Sequence, residues 1–431
     1  MHSRRTRLTT VLVAALAVSG TACAGGGTGD EPHGTITWYA SRFGPADVDM
    51  RETLIEEFQK AYPRIHVLIA DAPSDTDAAR AAIAESVANG SDSFDVYNGD
   101  VVWPTRLGEA GLALPLNEHF DADFWASFDP ALLNSLQYQG KIMAAPLFAD
   151  HAFLFYRKDL LEKAGLPAPT TWEQLQQEAE RLQKAGLVKY GFAAQWAGYE
   201  GLTCGWTEFA ADAGGSSIDA GGTTAQVDSP ENLKALTYMK GLIDEGVAPE
   251  DITGFKEDEA QALFTSGQVA FLRNWAYAYT NAQESPLSKV SGKVGVVSLP
   301  AFQGQNGGGR TTAGGWNLYV SPHGTHLAAS LTFVRWITGP EAQKTLAIKG
   351  GMLPARKGVL NDADVQAVNP VFRAAAANRP VTRPTWTTAD YAKVSATLYT
   401  NVNAALTGAT TPAKALKAAQ HDLSGVLAAK P

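Results

Sequence analysis

Cysteine is nearly absent: the 431-residue chain has two, Cys23 near its start and Cys204 near its middle. If Cys23 is used for something else, Cys204 has no partner, no disulfide forms, and stability rests on the size of the core. A solitary thiol of this kind reads as a small buried hydrophobe rather than a nucleophile. Excess positive charge is absent as well. The formal charge is −9 and Lys and Arg form no stripe, so the field has the wrong sign for nucleic acid. Phosphate loops are missing, since neither glycine-rich run, 25–29 or 307–309, is followed by Gly-Lys-Ser/Thr. No metal set is complete. His323 and His326 share a Pro/Gly turn without Cys, Asp or Glu at ligand spacing, and read as surface histidines. Internal repeats are absent too, and the longest apolar run is too short to span a bilayer stably.

What is present begins with bulk and a distinctive front end. A chain of this length makes more than one domain or one enlarged domain. Its 45% hydrophobic and 18% charged residues fit a globular protein with large cores. Residues 1–22 have the three-part form of an export signal: Arg4, Arg5 and Arg7, an apolar stretch over 8–18, then small residues at 19–22. Loss of those three arginines would take the formal charge from −9 to −12. Small residues directly before Cys23 resemble a bacterial lipoprotein processing site, where the cysteine becomes lipid-modified and N-terminal, although Gly20 stands where that pattern usually has Leu. The glycine-rich stretch 23–34, with Pro32 near its end, then reads as a flexible spacer.

From residue 35 onward the hydrophobic pattern alternates between strand and helix periods. Strands are expected at 35–39, 65–70 and 94–97, with helices at 50–62 and 76–89 between them. Elements in that order make a parallel sheet with covering helices, in which ligands sit at the carboxyl ends of strands. The loops 41–49, 71–75 and 98–103 are the candidates. Further on, Thr170 and Glu173 form an expected capping box for a helix over 172–185, and Ser229-Pro230 starts a helix running to Gly246. Residues 269–272 enter a strand that delivers Asn274, Trp275 and Tyr277 to its end. A strand at 315–320 crosses back toward the first elements, and helices over 328–337, 340–347, 390–406 and 412–427 complete the pattern. The expected class is α/β, in two lobes each assembled from non-contiguous pieces.

Residues 146–159 read as the crossing point. Two apolar runs flank Asp150 and His151, where a strand leaving one lobe would enter the other. Polar groups between hydrophobic strands are costly unless something pairs with them. A ligand at a domain junction is one common reason for keeping them.

A glycosidase would need two carboxylates at a defined separation. Asp47, Asp100 and Asp150 are of the right type, and Glu200 is the better isolated acid, but no apolar pocket is evident around them to raise a pKa. Aromatics at expected strand ends and loops point elsewhere: Trp103, Trp196, Tyr199, Trp206, Trp275, Tyr277, Trp316 and Trp386. Any one of these is more often core than contact. Taken with the carboxylates and Asn they suggest a sugar site, in which ring faces cover pyranose C–H patches and Asp accepts hydrogen bonds from vicinal hydroxyls.

The blocks Glu56-Glu57-Phe58-Gln59-Lys60-Ala61-Tyr62-Pro63, Phe94-Asp95-Val96, Asp100-Val101-Val102-Trp103, Phe155-Tyr156-Arg157-Lys158-Asp159-Leu160 and Pro169-Thr170-Thr171-Trp172-Glu173 carry a resemblance. They resemble those of the carbohydrate-binding lipoproteins of bacterial ABC importers, the maltose-binding-like group of extracellular solute-binding proteins. Tyr199-Glu200-Gly201-Leu202, Asn274-Trp275-Ala276-Tyr277 and Gly314-Gly315-Trp316 resemble its trehalose/maltose-binding branch more narrowly. The resemblance covers nearly all of residues 34–427. It implies a periplasmic-binding-protein-like fold of type II, with 35–147 and 314–350 in lobe 1 and 148–313 and 351–431 in lobe 2. Hinges follow near 146–150, 314–316 and 350–351.

The resemblance also assigns roles by position. Asp47, Asp100 and Asp150 match sugar-binding acids, and Arg80 matches an arginine in or near the site. Phe148 stands where a relative has Tyr, which leaves one hydroxyl contact fewer. Trp275 and Trp316 match stacking tryptophans, Tyr277 accompanies Trp275, and Gly315 lets backbone approach the sugar. Arg379 and Arg383, each followed by Pro, are both candidates for the family's Arg-Pro segment. The implied function is capture of an α-linked disaccharide, trehalose or maltose, and its delivery to permease subunits, the ATPase being engaged only indirectly. The implied form is a monomer, lipid-anchored through Cys23 on the outer face of the cell membrane, without cofactor or catalysis. Two alternatives stay open: a receptor of the same fold for another oligosaccharide or a polyol, and an extracellular glycoside-processing enzyme.

Overall fold

The computed structural model describes residues 31–45, 48–89, 93–305, 308–381, 383 and 390–428. The strands among them are β1 (Gly34–Ala40), β2 (Ile65–Asp71), β3 (Val96–Asp100), β4 (Gln137–Tyr138), β5 (Lys141–Ile142), β6 (Ala145–Arg157), β7 (Tyr190–Ala193), β8 (Val269–Trp275), β9 (Val294–Val297), β10 (Arg310–Val320), β11 (Leu353–Pro354) and β12 (Arg379–Val381). One sheet runs β2-β1-β3-β10-β6-β8-β7, with β9 and β11 also paired to β6 and β12 to β10. The hairpin β4-β5 stands apart.

Two βαβ units build the first body. β1 pairs in parallel with both β2 and β3, because each crossover is a helix: Met50–Ala61 and Thr76–Ala88. The first starts at Asp49, whose carboxylate accepts from the Arg51 N–H, buries Leu54, Ile55 and Phe58, and ends ahead of Pro63. The second is capped by Asp75, which accepts from the Ala78 N–H at 2.9 Å. Ile36, Trp38, Leu54, Phe58, Leu147, Phe333 and Leu346 share one core. Leu154, Trp172, Phe192, Trp206, Phe209 and Leu398 share another.

β6 and β10 pass between these bodies. β6 pairs with β10 through 145–151 and with β8 and β9 through 152–157. One thirteen-residue strand therefore leaves the first core and enters the second, with Asp150 and His151 at the handover. β10 pairs with β3 through 316–320 and with β12 through 310–312. Its Gly315 has φ +141°, and a Cβ there would lie 2.7 Å from the Phe148 carbonyl oxygen. The close approach of β6 and β10 at this point requires glycine.

Four local expectations are corrected. The third strand spans Val96–Asp100, not 94–97; Asp95 ahead of it instead accepts the Thr37 N–H at 2.9 Å. The helix is capped one residue later than expected, by Thr171 rather than by a Thr170/Glu173 box. The Thr171 hydroxyl accepts from the Gln174 N–H at 3.1 Å and Gln174 reaches back to the Thr170 N–H at 3.0 Å, while Glu173 accepts from the Gln303 N–H. The helix Glu200–Asp212 was not expected at all. Nearly all its residues are buried, so it lacks the apolar stripe that betrays a surface helix. The short helix Ala278–Glu284 also escaped the pattern.

Candidate functional site

Asp100 ends β3 opposite Trp316 of β10. Its carboxylate accepts from Arg383 at 2.7 and 3.2 Å and from the Val102 N–H at 3.1 Å. The same guanidinium reaches Glu200 at 2.9 Å. Glu200 in turn accepts from the Tyr391 and Ser395 hydroxyls at 2.6 and 2.5 Å, both on the helix Tyr391–Leu406. Arg383 thus ties the end of β3 to helices of the second body. All three ionic side chains are buried, Arg383 to within 2% of full coverage. Burial works against the Arg383 charge, but Asp100 and the other acidic groups around it outweigh that and hold its pKa well above the usual arginine value. For Glu200, burial raises the pKa and Arg383 opposes the rise.

Asp150 sits at the handover on β6. One carboxylate oxygen accepts from the backbone N–H of His151 at 2.8 Å and of Ala276 at 3.2 Å. Burial nevertheless pushes its pKa up to about 7, the two N–H groups and Arg273 only partly opposing it. The neighbouring His151 has its Nδ1 buried without a partner, and burial lowers its pKa to about 4.

The eight aromatics singled out in the sequence divide cleanly. Trp103, Trp196, Tyr199 and Trp206 are buried, whereas Trp275, Tyr277 and Trp316 are half-buried. Trp386 lies outside the described residues, as do Asp47 and Cys23. The Trp316 ring meets Trp103 edge-on at 5.9 Å. Trp275 donates from Nε1 to Glu257 at 3.4 Å, and Glu257 also accepts from Tyr199 at 2.5 Å and Gln195 at 3.2 Å. Glu257 opens the helix Glu257–Thr265, and no motif marks it in the sequence.

At the rim, Lys256 reaches from the N-cap of helix Glu257–Thr265 to Asp75 on the first body at 2.6 Å. Arg80 pairs with Asp77 on its own helix at 3.2 Å; both lie within electrostatic reach of Tyr399, on the other side of the gap. The structure therefore brings together Asp100, Arg383, Gly315 and Trp316, and separately Asp150, Trp275 and Tyr277. Buried Cys204 lies within electrostatic reach of Arg383, Glu200, Arg273 and Asp100, and burial pushes its thiol far up. Phe148 pairs with Trp316 across β6 and β10, but it is only 5% exposed and its ring packs on Phe43 at 5.8 Å in the first core. Arg379 lies on β12, beside Arg310 of β10, so of the two Arg-Pro candidates it is Arg383 that bridges the bodies.

An enclosed ionic bridge joins the two α/β bodies, with half-buried Trp316 opposite Asp100 on the neighbouring strand. Residues 49–344 match the family of bacterial extracellular solute-binding proteins. The chain belongs to that family. As a relative, this solute-binding protein has a probable ABC transporter-binding protein of Deinococcus radiodurans, 33% identical over 368 residues that cover 84% of this chain and 86% of the other. Among solved structures it is similar to maltose-bound MalE3 of T. maritima, with TM-score 0.86 and 32% identity over 91% of this chain and 99% of that one. It is also similar to an ABC transporter solute-binding protein of Agrobacterium radiobacter K84 in complex with ribitol, with TM-score 0.79 and 26% identity over 92% and 99%. The α/β fold is that of the two-lobed periplasmic binding proteins. Membership makes the chain a binding protein, and the glycoside-processing alternative is set aside. No helix among the described residues is long and apolar enough to cross a membrane.

Proposed function

We propose that this solute-binding protein captures an α-linked disaccharide, trehalose or maltose, between its lobes and presents it to the permease of an ABC importer. The observation that carries this reading is the placement of half-buried Trp316 opposite Asp100, and of half-buried Trp275 and Tyr277 on either side of Ala276, whose N–H donates to Asp150. Ring faces suit the apolar faces of pyranoses and carboxylates suit vicinal hydroxyls. The maltose complex of a 32% identical relative supports the same class.

In this reading the lobes comprise 35–147 with 314–350 and 148–313 with 351–431, joined by β6, β10 and the segment at 350–351. Closure forms Lys256–Asp75 and Arg383–Asp100 across the gap, and sugar shifts the population toward that closed form because only there do both walls contact it. Cys23, lipid-modified, would hold the protein at the outer face of the membrane. A second reading, a polyol receptor, is favoured by the ribitol complex of a 26% identical relative.

Calorimetric titration of the refolded chain from Ala24 onward, with trehalose, maltose, sucrose, longer α-glucans and ribitol, separates the readings. One-site binding led by trehalose or maltose supports the disaccharide. Binding of ribitol alone replaces it with the polyol, and silence from the α-linked sugars overturns the proposal. Trp275→Ala should weaken sugar binding by about 2 kcal/mol, roughly thirtyfold, as removal of a central aromatic anchor does.

A further inference from the structure

Behind Trp275 lies a buried ion pair that the cleft itself does not use. Arg273, two residues earlier on β8, donates from Nε and Nη2 to Glu208 at 2.8 and 2.5 Å. The two side chains are 2% and 1% exposed. Glu208 stands on the buried helix Glu200–Asp212 and also accepts from the Thr312 N–H of β10 at 3.0 Å. The Arg273 guanidinium lies over the Trp275 ring, 4.4 Å from its centroid. Its remaining nitrogen, Nη1, is buried without a partner. A guanidinium that forgoes a hydrogen bond in order to lie on an indole is oriented by the ring as well as by the carboxylate.

A buried ion pair is weak evidence for stability, because desolvation cancels much of its attraction and an apolar replacement is often tolerated. What the pair does here is geometric. Glu208 is anchored to β10 two residues before Gly314, and a Cβ on Gly314 would come within 3.1 Å of the Trp275 ring. The indole is therefore bounded by Arg273 and by the backbone of the strand that crosses between the bodies. Its Nε1 is tied to Glu257, and the ring remains half-buried.

We propose that Arg273, held by Glu208, is a positioning residue for Trp275, fixing the plane of the ring against which the ligand stacks and linking that plane to β10. Arg273 need not touch ligand for this. The inference rests on the stacking role given to Trp275 above, but the orientation of the ring can be tested without any ligand.

The test uses the full mature chain in three forms: wild type, Arg273→Lys, and the paired Arg273→Met/Glu208→Gln, which leaves no lone buried charge. Thermal unfolding first confirms that each is folded. Protein labelled with 5-fluorotryptophan gives a fluorine resonance for Trp275, assigned by its loss in Trp275→Phe. With no sugar present, that resonance should shift and broaden in both variants while most other tryptophan resonances stay in place. Titration with maltose and trehalose should then show the paired variant weakened about tenfold in the wild-type background and about unchanged in a Trp275→Ala background, the mark of an effect that acts through Trp275. An unmoved Trp275 resonance in the folded variants overturns the proposal, as does equal weakening in both backgrounds. If the paired variant does not fold, Arg273→Lys decides on the same resonance. If wild type binds none of the sugars, the disaccharide reading fails on its own and the resonance still settles the role of Arg273.

Discussion

Asp150 and His151 are adjacent, yet burial moves their proton equilibria in opposite directions. The native Asp150 carboxyl keeps a proton up to about pH 7, whereas the unfolded chain releases it near 3.8. Its contribution to stability is full below the unfolded value and is lost as pH rises through about 7. His151, lowered to about 4 from 6.5, is neutral in the fold and charged in the unfolded chain between those values. Its contribution is present above the unfolded value and is lost as pH falls through about 4. The two slopes oppose each other over nearly the same window, so wild-type stability should vary little there on their account. Single replacements expose each limb. Relative to wild type, Asp150→Asn should gain stability as pH rises from about 4 to about 7, and His151→Gln should gain it as pH falls from about 6.5 to about 4. Denaturant unfolding at several pH values checks both, and two differences that stay flat with pH would contradict the assignment.

At the scale of elements, two positions carry distinct tests. Gly315 holds φ +141° where β6 and β10 approach most closely. Gly315→Ala forces a Cβ against the Phe148 carbonyl and should destabilise the fold by about 2 kcal/mol or more. A thermal scan matching wild type would mean that the crossing can relax. The helix Trp172–Lys184 begins at Thr171, not at Thr170. Thr171→Ala should therefore cost about 1 kcal/mol and Thr170→Ala a small fraction of that, in urea unfolding of the two variants. The one-residue displacement was hard to read because Thr170-Thr171-Trp172-Glu173-Gln174 contains two overlapping boxes. Tertiary contact chose between them, since Glu173 is taken by the Gln303 backbone.

For the whole molecule, the contacts that span the gap are of two kinds. Lys256–Asp75 is a rim pair, 45% and 29% exposed, and pairs of that sort contribute about 0 to 1 kcal/mol. Arg383 with Asp100 and Glu200 is enclosed, and losing one partner leaves a buried charge under-compensated. Lys256→Ala should lower ligand affinity less than about fivefold, with the difference fading in high salt. Asp100→Ala should lower it far more while the chain still unfolds cooperatively. Titration of both variants at low and high ionic strength tests the ranking, and an Asp100→Ala variant that binds like wild type would remove the bridge from the mechanism.

The alternation of strand and helix periods, with the Ser229-Pro230 helix start, was enough to set the α/β class and most element positions. The apolar runs around Asp150 and His151 likewise announced the crossing strand, because each half must be buried in its own core. Motif positions marked Asp100, Trp275 and Trp316 as candidates for the site. Other features became legible only in three dimensions. The helix Glu200–Asp212 is covered on all sides and shows no periodicity. Phe148 takes a site position by resemblance and its ring packs in the first core in space. Arg383 was distinguished from Arg379 only by the convergence of Asp100, 283 positions away, and Glu200, 183 positions away, on one guanidinium. Local pattern records what each segment must bury. Which charges meet between two bodies depends on how the segments pack, and the sequence by itself does not state that.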